Sequence, residues 1–67
     1  MRKIMIDNNQ KIRPVLADMK IGDVAVFHIS RLKSVRTQAS ELGAMFNRTY
    51  ATSTSREAQT IEVTRKE

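Results

Sequence analysis

The stretch "ASELGAMFNRTYATSTS", from Ala39 to Ser55, decides the fold, because it can be interpreted either as a helix-turn-helix or as a helix end followed by a strand. In a helix-turn-helix, Gly43 would be the turn, and the second helix would need apolar side chains near positions 49 and 52. Both positions are threonines, and residues 52–55 are all Thr or Ser, which are poor helix formers. A second helix here would have no hydrophobic face. We therefore predict one helix followed by a β-hairpin.

Upstream, apolar residues recur at alternating spacings of three and four, which predicts one face of an amphipathic helix. This stripe consists of Leu32, Val35, Ala39, Leu42 and Phe46. Met45 widens it, and Gly43 inside the pattern indicates close packing or the approach of the helix end. We expect the helix to end near Asn47 and to be capped at its start by Ser30 or Ser34, whose hydroxyls can accept from exposed N–H groups.

Other segments have the composition of strands. Residues 24–30, "VAVFHIS", are β-branched and aromatic and largely apolar on both faces, which predicts a central strand. Residues 50–54 and 60–64 alternate and flank the polar "SREAQ", which predicts a hairpin of unspecified turn type. Residues 1–11 are either a short edge strand or a frayed terminus. Pro14 suits the first turn of a short helix.

The predicted order is strand, helix, strand, strand. An extra strand or helical turn near the N-terminus is left open as an alternative. The whole is an α+β fold, in which one amphipathic helix packs on one face of a small antiparallel sheet. With 67 residues, the chain 1–67 is expected to be a single small basic domain. A core this small leaves modest stability, so a homodimer would add buried area, although the sequence does not require one.

Composition limits the function classes. Twelve Lys and Arg against seven Asp and Glu give a net charge of +5 and a pI near 10.3, which favours polyanionic partners, nucleic acid above all. The chain has no cysteine, which excludes disulfides and cysteine-based zinc sites and suits a reducing cytosol. The opening "MRKIMIDNNQ" lacks a long apolar run, so we expect neither a signal peptide nor a membrane partner, and a cytoplasmic location.

Residues 18–65 contain "DMKIGDVAVFHISRLKSVRTQASELG" and "TSTSREAQTIEVTR". The Met-Lys-hydrophobic-Gly-Asp lead-in, the Ser-Val-Arg helix and the "REA-x-TIEVTR" ending resemble small proteins encoded by phages and mobile elements of gut bacteria. The first ten residues and "KIRP" lie outside the resemblance. The resemblance implies that the protein is encoded by a mobile element, and it implies no biochemical activity.

The sequence contains no recognisable group of catalytic residues or metal ligands. His28 is the only histidine, and its neighbours on the strand supply neither a nucleophile nor an orienting group. Asp18 and Asp23 are too few ligands for a metal, and the only two glycines, Gly22 and Gly43, form no phosphate-binding loop. We therefore predict no enzyme activity, no cofactor and no metal site.

Seven residues are the predicted nucleic-acid contacts. Four lie on the helix opposite the apolar stripe: Lys33, Arg36, Thr37 and Ser40. Three lie on the hairpin, at its base and tip: Arg48, Arg56 and Arg65. Lys and Arg reach phosphates and guanine edges, Ser and Thr donate to phosphates, and a two-stranded ribbon can enter a major groove. An ordinary solvated helix face has the same composition, so both interpretations stay open.

The sequence thus supports two hypotheses of different class. The first is a DNA-binding protein with a regulatory or accessory role in a phage or mobile element, with binding that weakens as salt rises. The second is a protein-interaction or assembly module whose charge steers it to an acidic protein partner. An exposed sheet edge, formed by the first or the last strand, would suit strand addition in that case.

Overall fold

The computed structural model describes residues 2–67. Two helices and a short 3-10 turn lie on one face of a four-stranded sheet. The elements in chain order are β1 (Lys3–Met5), α1 (Ile12–Asp18), β2 (Val24–His28), the 3-10 turn (Ile29–Arg31), α2 (Leu32–Phe46), β3 (Tyr50–Ser55) and β4 (Thr60–Arg65). The α+β prediction is confirmed, and so is the hairpin in place of a second helix after α2.

The sheet has the strand order β1-β2-β4-β3 and is mixed. β3 and β4 form the hairpin, and β4 runs antiparallel to β2. β1 runs parallel to β2, with Ile4 opposite Ala25, so the expectation of a wholly antiparallel sheet is wrong for this strand. The reason is α1, since parallel neighbours need a long crossover and the helix provides it.

The N-terminal region contains both additions that the sequence left open, the strand β1 and the helix α1. β1 is held by hydrogen bonds to β2, where Ile6 N–H donates to Val26 O at 2.9 Å. Within residues 1–11, for which fraying was the alternative, Met1 lies outside the described residues. β2 is central, as predicted, but it ends at His28 because Ile29 begins the 3-10 turn.

The core lies between the helices and the sheet. It consists of buried apolar side chains from both helices, the turn after α1 and the two central strands: Ile12, Leu16, Met19, Ala25, Phe27, Val35, Ala39, Leu42, Ile61 and Val63. The predicted stripe of α2 is buried at its centre. Its end is not, because Met45 and Phe46 are 64% and 44% exposed. These two side chains face the space between α1 and α2 instead of the sheet.

The two ends of α2 are built differently from each other. The expectation that Ser30 or Ser34 caps the start is wrong. Instead, the His28 side chain accepts from the Ser30 N–H at 3.1 Å and caps the 3-10 turn that leads into the helix. At the other end, Asn47 has φ 54° and closes the helix by donating its N–H to Gly43 O. A Cβ on Gly43 would lie 3.0 Å from Arg48 O, so the close packing expected there is confirmed.

The free edges of the sheet are β1 and β3. The first strand is an edge, as expected. The last strand is not, because β4 pairs with β2 on one side and with β3 on the other. The hairpin therefore folds back so that its first strand becomes the outer one, and any strand addition at that end of the sheet would use β3.

Candidate functional site

Two of the predicted nucleic-acid contacts, Arg48 and Arg65, bond to the carboxyl end of α1. Arg48 Nη1 donates to Ala17 O at 2.9 Å, and Arg65 Nη1 donates to Met19 O at 2.8 Å. The last carbonyls of a helix lack partners inside the helix and form the negative end of its dipole. The two guanidinium groups satisfy these carbonyls and place positive charge where the helix favours it.

Tyr50 completes this arrangement. Its hydroxyl donates to Leu16 O at 2.7 Å and accepts from Arg48 Nη1 at 3.1 Å. The base of the hairpin is thereby fastened to α1 through three side chains. The sequence could not reveal this role, because the acceptors are main-chain carbonyls that lie more than thirty positions away along the chain.

The four predicted contacts on α2 are all exposed. Lys33, Thr37 and Ser40 lie on the side of the helix that is turned away from the core. Arg36 is seven positions before Gly43, about two turns, so it lies on the same side as that glycine and faces the β3 flank. Among the described residues, neither Lys33 nor Arg36 forms an ion pair.

Three further cations lie on the helical side and were missed by the sequence analysis. Lys11 precedes α1, Arg13 lies in its first turn, and Arg31 ends the 3-10 turn. Together with the two cations of α2, they form a set that we call the helix-side cations: Lys11, Arg13, Arg31, Lys33 and Arg36. Recognising "KIRP" as the start of a real helix would have been the signal for the first two.

The partners of these added cations differ. Arg13 Nη2 lies 3.0 Å from Glu41 Oε1, an exposed pair that links α1 to α2. Arg31 lies over the Phe27 ring at 5.9 Å and donates to Asp7 O at 3.4 Å. An exposed ion pair such as Arg13–Glu41 contributes little to stability.

A groove of about 580 Å³ runs between α1 and α2, beside the helix-side cations. Six apolar residues line it: Ile12, Pro14, Ala17, Leu42, Met45 and Phe46. Lys11, Arg13 and Arg31 line it as well. We call it the interhelical groove. Its size falls within the range of ligand pockets, and its composition is apolar with a cationic border.

The opposite side of the sheet has a different character. Side chains that alternate with the core residues point there, and the only ion pair of this face among residues 2–67 joins Lys3 Nζ to Glu62 Oε2 at 3.5 Å. Arg56 lies apart from both faces, exposed at the hairpin turn, where Gln59 Nε2 donates to its carbonyl at 2.6 Å. The structure therefore separates the predicted contacts into three places: the exposed surface of α2, with Arg36 on its β3 flank, the hairpin tip and the carboxyl end of α1.

The histidine and the buried carboxylate have local structural bonds. His28 Nδ1 lies 2.9 Å from Ser30 Oγ, within the cap described above. Asp23 is buried, and its Oδ2 accepts from Lys20 N at 3.1 Å and from Arg2 Nη2 at 3.5 Å. Within residues 2–67 no three His, Cys, Asp or Glu side chains are grouped so that they could hold a metal ion.

Two further findings concern the chain as a whole. Of the helices in the described part of the chain, neither has the length and apolar character that a membrane crossing requires. No family model matches the chain, and no curated protein or solved structure shows significant similarity to it.

Proposed function

We propose that the protein binds duplex DNA through the outer side of α2 and the neighbouring helix-side cations. The observation that carries this proposal is the pairing state of Lys33 and Arg36: both are exposed, and neither has a carboxylate partner among the described residues. A regulatory or accessory role in a phage or mobile element belongs to the same proposal and comes from the resemblance of residues 18–65.

The dimensions of α2 support this mode of binding. The helix has 15 residues and is therefore about 22 Å long, and a major groove about 12 Å wide admits one α-helix. Thr37, Ser40 and Ala44 are small and exposed, so the helix axis could approach the bases closely. Lys33 and Arg36 would then reach phosphates or guanine edges on either side.

We assign different roles to the three hairpin arginines. Arg56 is exposed at the hairpin tip and is proposed to contact a phosphate distant from α2. Arg48 and Arg65 already donate to carbonyls of α1 and its carboxyl end, so we propose that they position the hairpin relative to the helices. Replacing either of them should lower the free energy of unfolding, with a smaller effect on the free energy of DNA binding at α2.

The test is a fluorescence-anisotropy titration with a labelled random duplex of about 25 base pairs, at about 50 and about 200 mM salt. We expect binding at the lower concentration and a loss of up to about three orders of magnitude in affinity at the higher one if all six proposed cations contact phosphates, because each neutralised phosphate releases counterions. Absence of binding at low salt would refute the DNA proposal.

The residue assignment is tested by two matched double variants. Lys33→Ala with Arg36→Ala removes two charges from α2, while Lys20→Ala with Lys66→Ala removes two exposed charges that also have no ion pair among the described residues. We expect the first to weaken binding by about tenfold or more and to reduce the salt slope by about 2. The second should have a much smaller effect; equal effects would show that net charge, not α2, determines binding.

An acidic protein partner is the second candidate function. The interhelical groove favours it, because this groove combines an apolar lining with Lys11, Arg13 and Arg31. Electrostatic steering would bring an acidic surface to this side of the molecule, and the apolar lining would hold it. An exposed β3 edge offers a second route, strand addition, for the same kind of partner.

A further inference from the structure

The interhelical groove keeps two large apolar side chains in water. Met45 is 64% exposed and Phe46 is 44% exposed, both in the last turn of α2, while Ile12 and Leu42 at the groove are buried. Isolated exposed apolar residues are common on protein surfaces, but a concave group of them marks an interaction site. Covering Met45 and Phe46 would remove apolar area from water at a place that is already shaped to receive a ligand.

The charges around the groove select its occupant. Lys11, Arg13 and Arg31 line it, and the one carboxylate that forms an ion pair with these three among the described residues is Glu41, which pairs with Arg13 and is not part of the lining. Arg48 adds a fourth cation at one end, where its guanidinium lies over the Phe46 ring at 4.9 Å. An occupant therefore needs apolar side chains for the floor and carboxylates for the border.

We infer that the interhelical groove binds a short amphipathic helix of a protein partner, with large apolar residues on one face and Asp or Glu on the flanks. This is the helix-in-groove mode, in which apolar anchors at i, i+3 or i+4, and i+7 fill the groove. The inference deepens the second candidate function, on which it rests, and is independent of DNA binding on the outer side of α2.

Other occupants fit less well. A second copy of this chain would bring a net charge of +5 to a border that is itself cationic. A nucleic-acid backbone would have to lose the hydration of its phosphates against Met45 and Phe46, which is costly for a charged group. An acidic amphipathic helix satisfies both the apolar lining and the cationic border.

The experiment uses a fluorescein-labelled peptide of about 15 residues, roughly four helical turns, with Leu and Phe at the anchor positions and Glu elsewhere. A control peptide has Lys in place of every Glu. Anisotropy with the full chain gives the affinity, and ¹⁵N amide shifts locate the site. We expect saturable binding of the acidic peptide only, with the largest shifts at Ile12, Leu42, Met45 and Phe46.

Matched variants test the location. Met45→Glu places a carboxylate in the groove, whereas Met5→Glu changes an equally flexible side chain, 72% exposed on β1, outside the groove. We expect Met45→Glu to weaken peptide binding by about tenfold or more, since it adds repulsion between carboxylates and removes apolar contact. Met5→Glu should leave the affinity within about twofold of the wild type, in the range of an uncoupled surface change. Circular dichroism checks that both variants fold.

Several results would overturn the inference: no saturable binding of the acidic peptide, equal binding of the Lys peptide, or equal loss in the two methionine variants. Larger shifts at Met45 and Phe46 with duplex DNA, or with vesicles of phosphatidylglycerol and phosphatidylcholine, would overturn it too, by assigning the groove to another occupant. The double variant Lys33→Ala, Arg36→Ala separates the two proposals, because it should weaken DNA binding by about tenfold or more and leave peptide binding unchanged.

Discussion

At the scale of single residues, the arginines of this basic chain have distinct roles that depend on their neighbours. Arg48 and Arg65 donate to carbonyls at the carboxyl end of α1, whereas Arg36 is exposed and has no ion pair among the described residues. Tyr50 joins the first group through its bond to Leu16 O. We therefore expect stability and DNA binding to depend on different arginines of this chain.

The Tyr50 hydroxyl should contribute measurably to stability. Tyr50→Phe leaves the Leu16 carbonyl without this donor, so we expect the free energy of unfolding to fall by about 1–2 kcal/mol, as measured by urea denaturation. Thr52→Val is the matched control, because it removes an exposed hydroxyl from the same strand, and it should change stability by less than about 0.5 kcal/mol. Equal losses in the two variants would refute the assigned role of Tyr50.

Gly22 should be required by its backbone conformation. It has φ 93° in the turn closed by the Asp23 N–H to Lys20 O bond of 2.9 Å, and a Cβ at this position would have no atom within 4 Å. We expect Gly22→Ala to lower the free energy of unfolding by about 1–2 kcal/mol through the positive φ alone. Ile21→Ala, at the exposed neighbouring position, should be nearly neutral in the same thermal or urea titration. A neutral Gly22→Ala would contradict the turn geometry.

At the scale of elements, the sequence predicts α2 and the hairpin well because each has a clear periodicity. The stripe Val35, Ala39 and Leu42 is buried, and residues 52–55 extend as a strand because Thr and Ser cannot build a helical face. The parallel pairing of β1 is not predictable in the same way, since the alternation of its three residues is the same for either direction of pairing and the direction depends on the route of α1. The hydrogen bonds of Arg48 and Arg65 cannot be predicted from the sequence, because their acceptors are main-chain carbonyls, which every residue has.

The interhelical groove shows a different limit of sequence patterns. Met45 and Phe46 continue the apolar period of α2, so periodicity places them in the core. In the structure, both side chains are exposed at the end of α2 and line the interhelical groove instead of packing in the core. Periodicity indicates which side of a helix is apolar, but it does not show whether another element covers that side.

The end of α2 depends on Asn47, the residue in left-handed conformation with φ 54°. Asn47→Gly should keep or raise the free energy of unfolding by up to about 0.5–1 kcal/mol, because glycine adopts this conformation without steric cost. Asn47→Ala should lower it by about 1 kcal/mol, since a Cβ without the polar side chain of asparagine is disfavoured there. Thermal melts followed by circular dichroism measure both, and an Ala variant more stable than the Gly variant would contradict this account of the helix end.

At the scale of the whole molecule, charge and apolar surface are distributed unevenly between the two faces. The helical side has five helix-side cations and the interhelical groove, while the far face of the sheet carries the paired Lys3 and Glu62. The five helix-side cations outnumber the two carboxylates of the helices, Asp18 and Glu41, whereas Lys3 and Glu62 balance on the sheet side, so we expect the stronger positive field on the helical side. A polyanion and an acidic peptide would both approach from the helical side, and they would use different parts of it.

The most direct test of this account is a ¹⁵N amide map of the full chain titrated with a short duplex DNA at low salt. The account predicts that the largest shifts lie on the exposed surface of α2, at Lys33 and Ser40 on its outer side and at Arg36 on its β3 flank, while the amides of Met5 and Glu62 on the far face of the sheet stay unchanged. Shifts concentrated on that far face, or spread evenly over both faces, would contradict the claim that the helical side is the binding side.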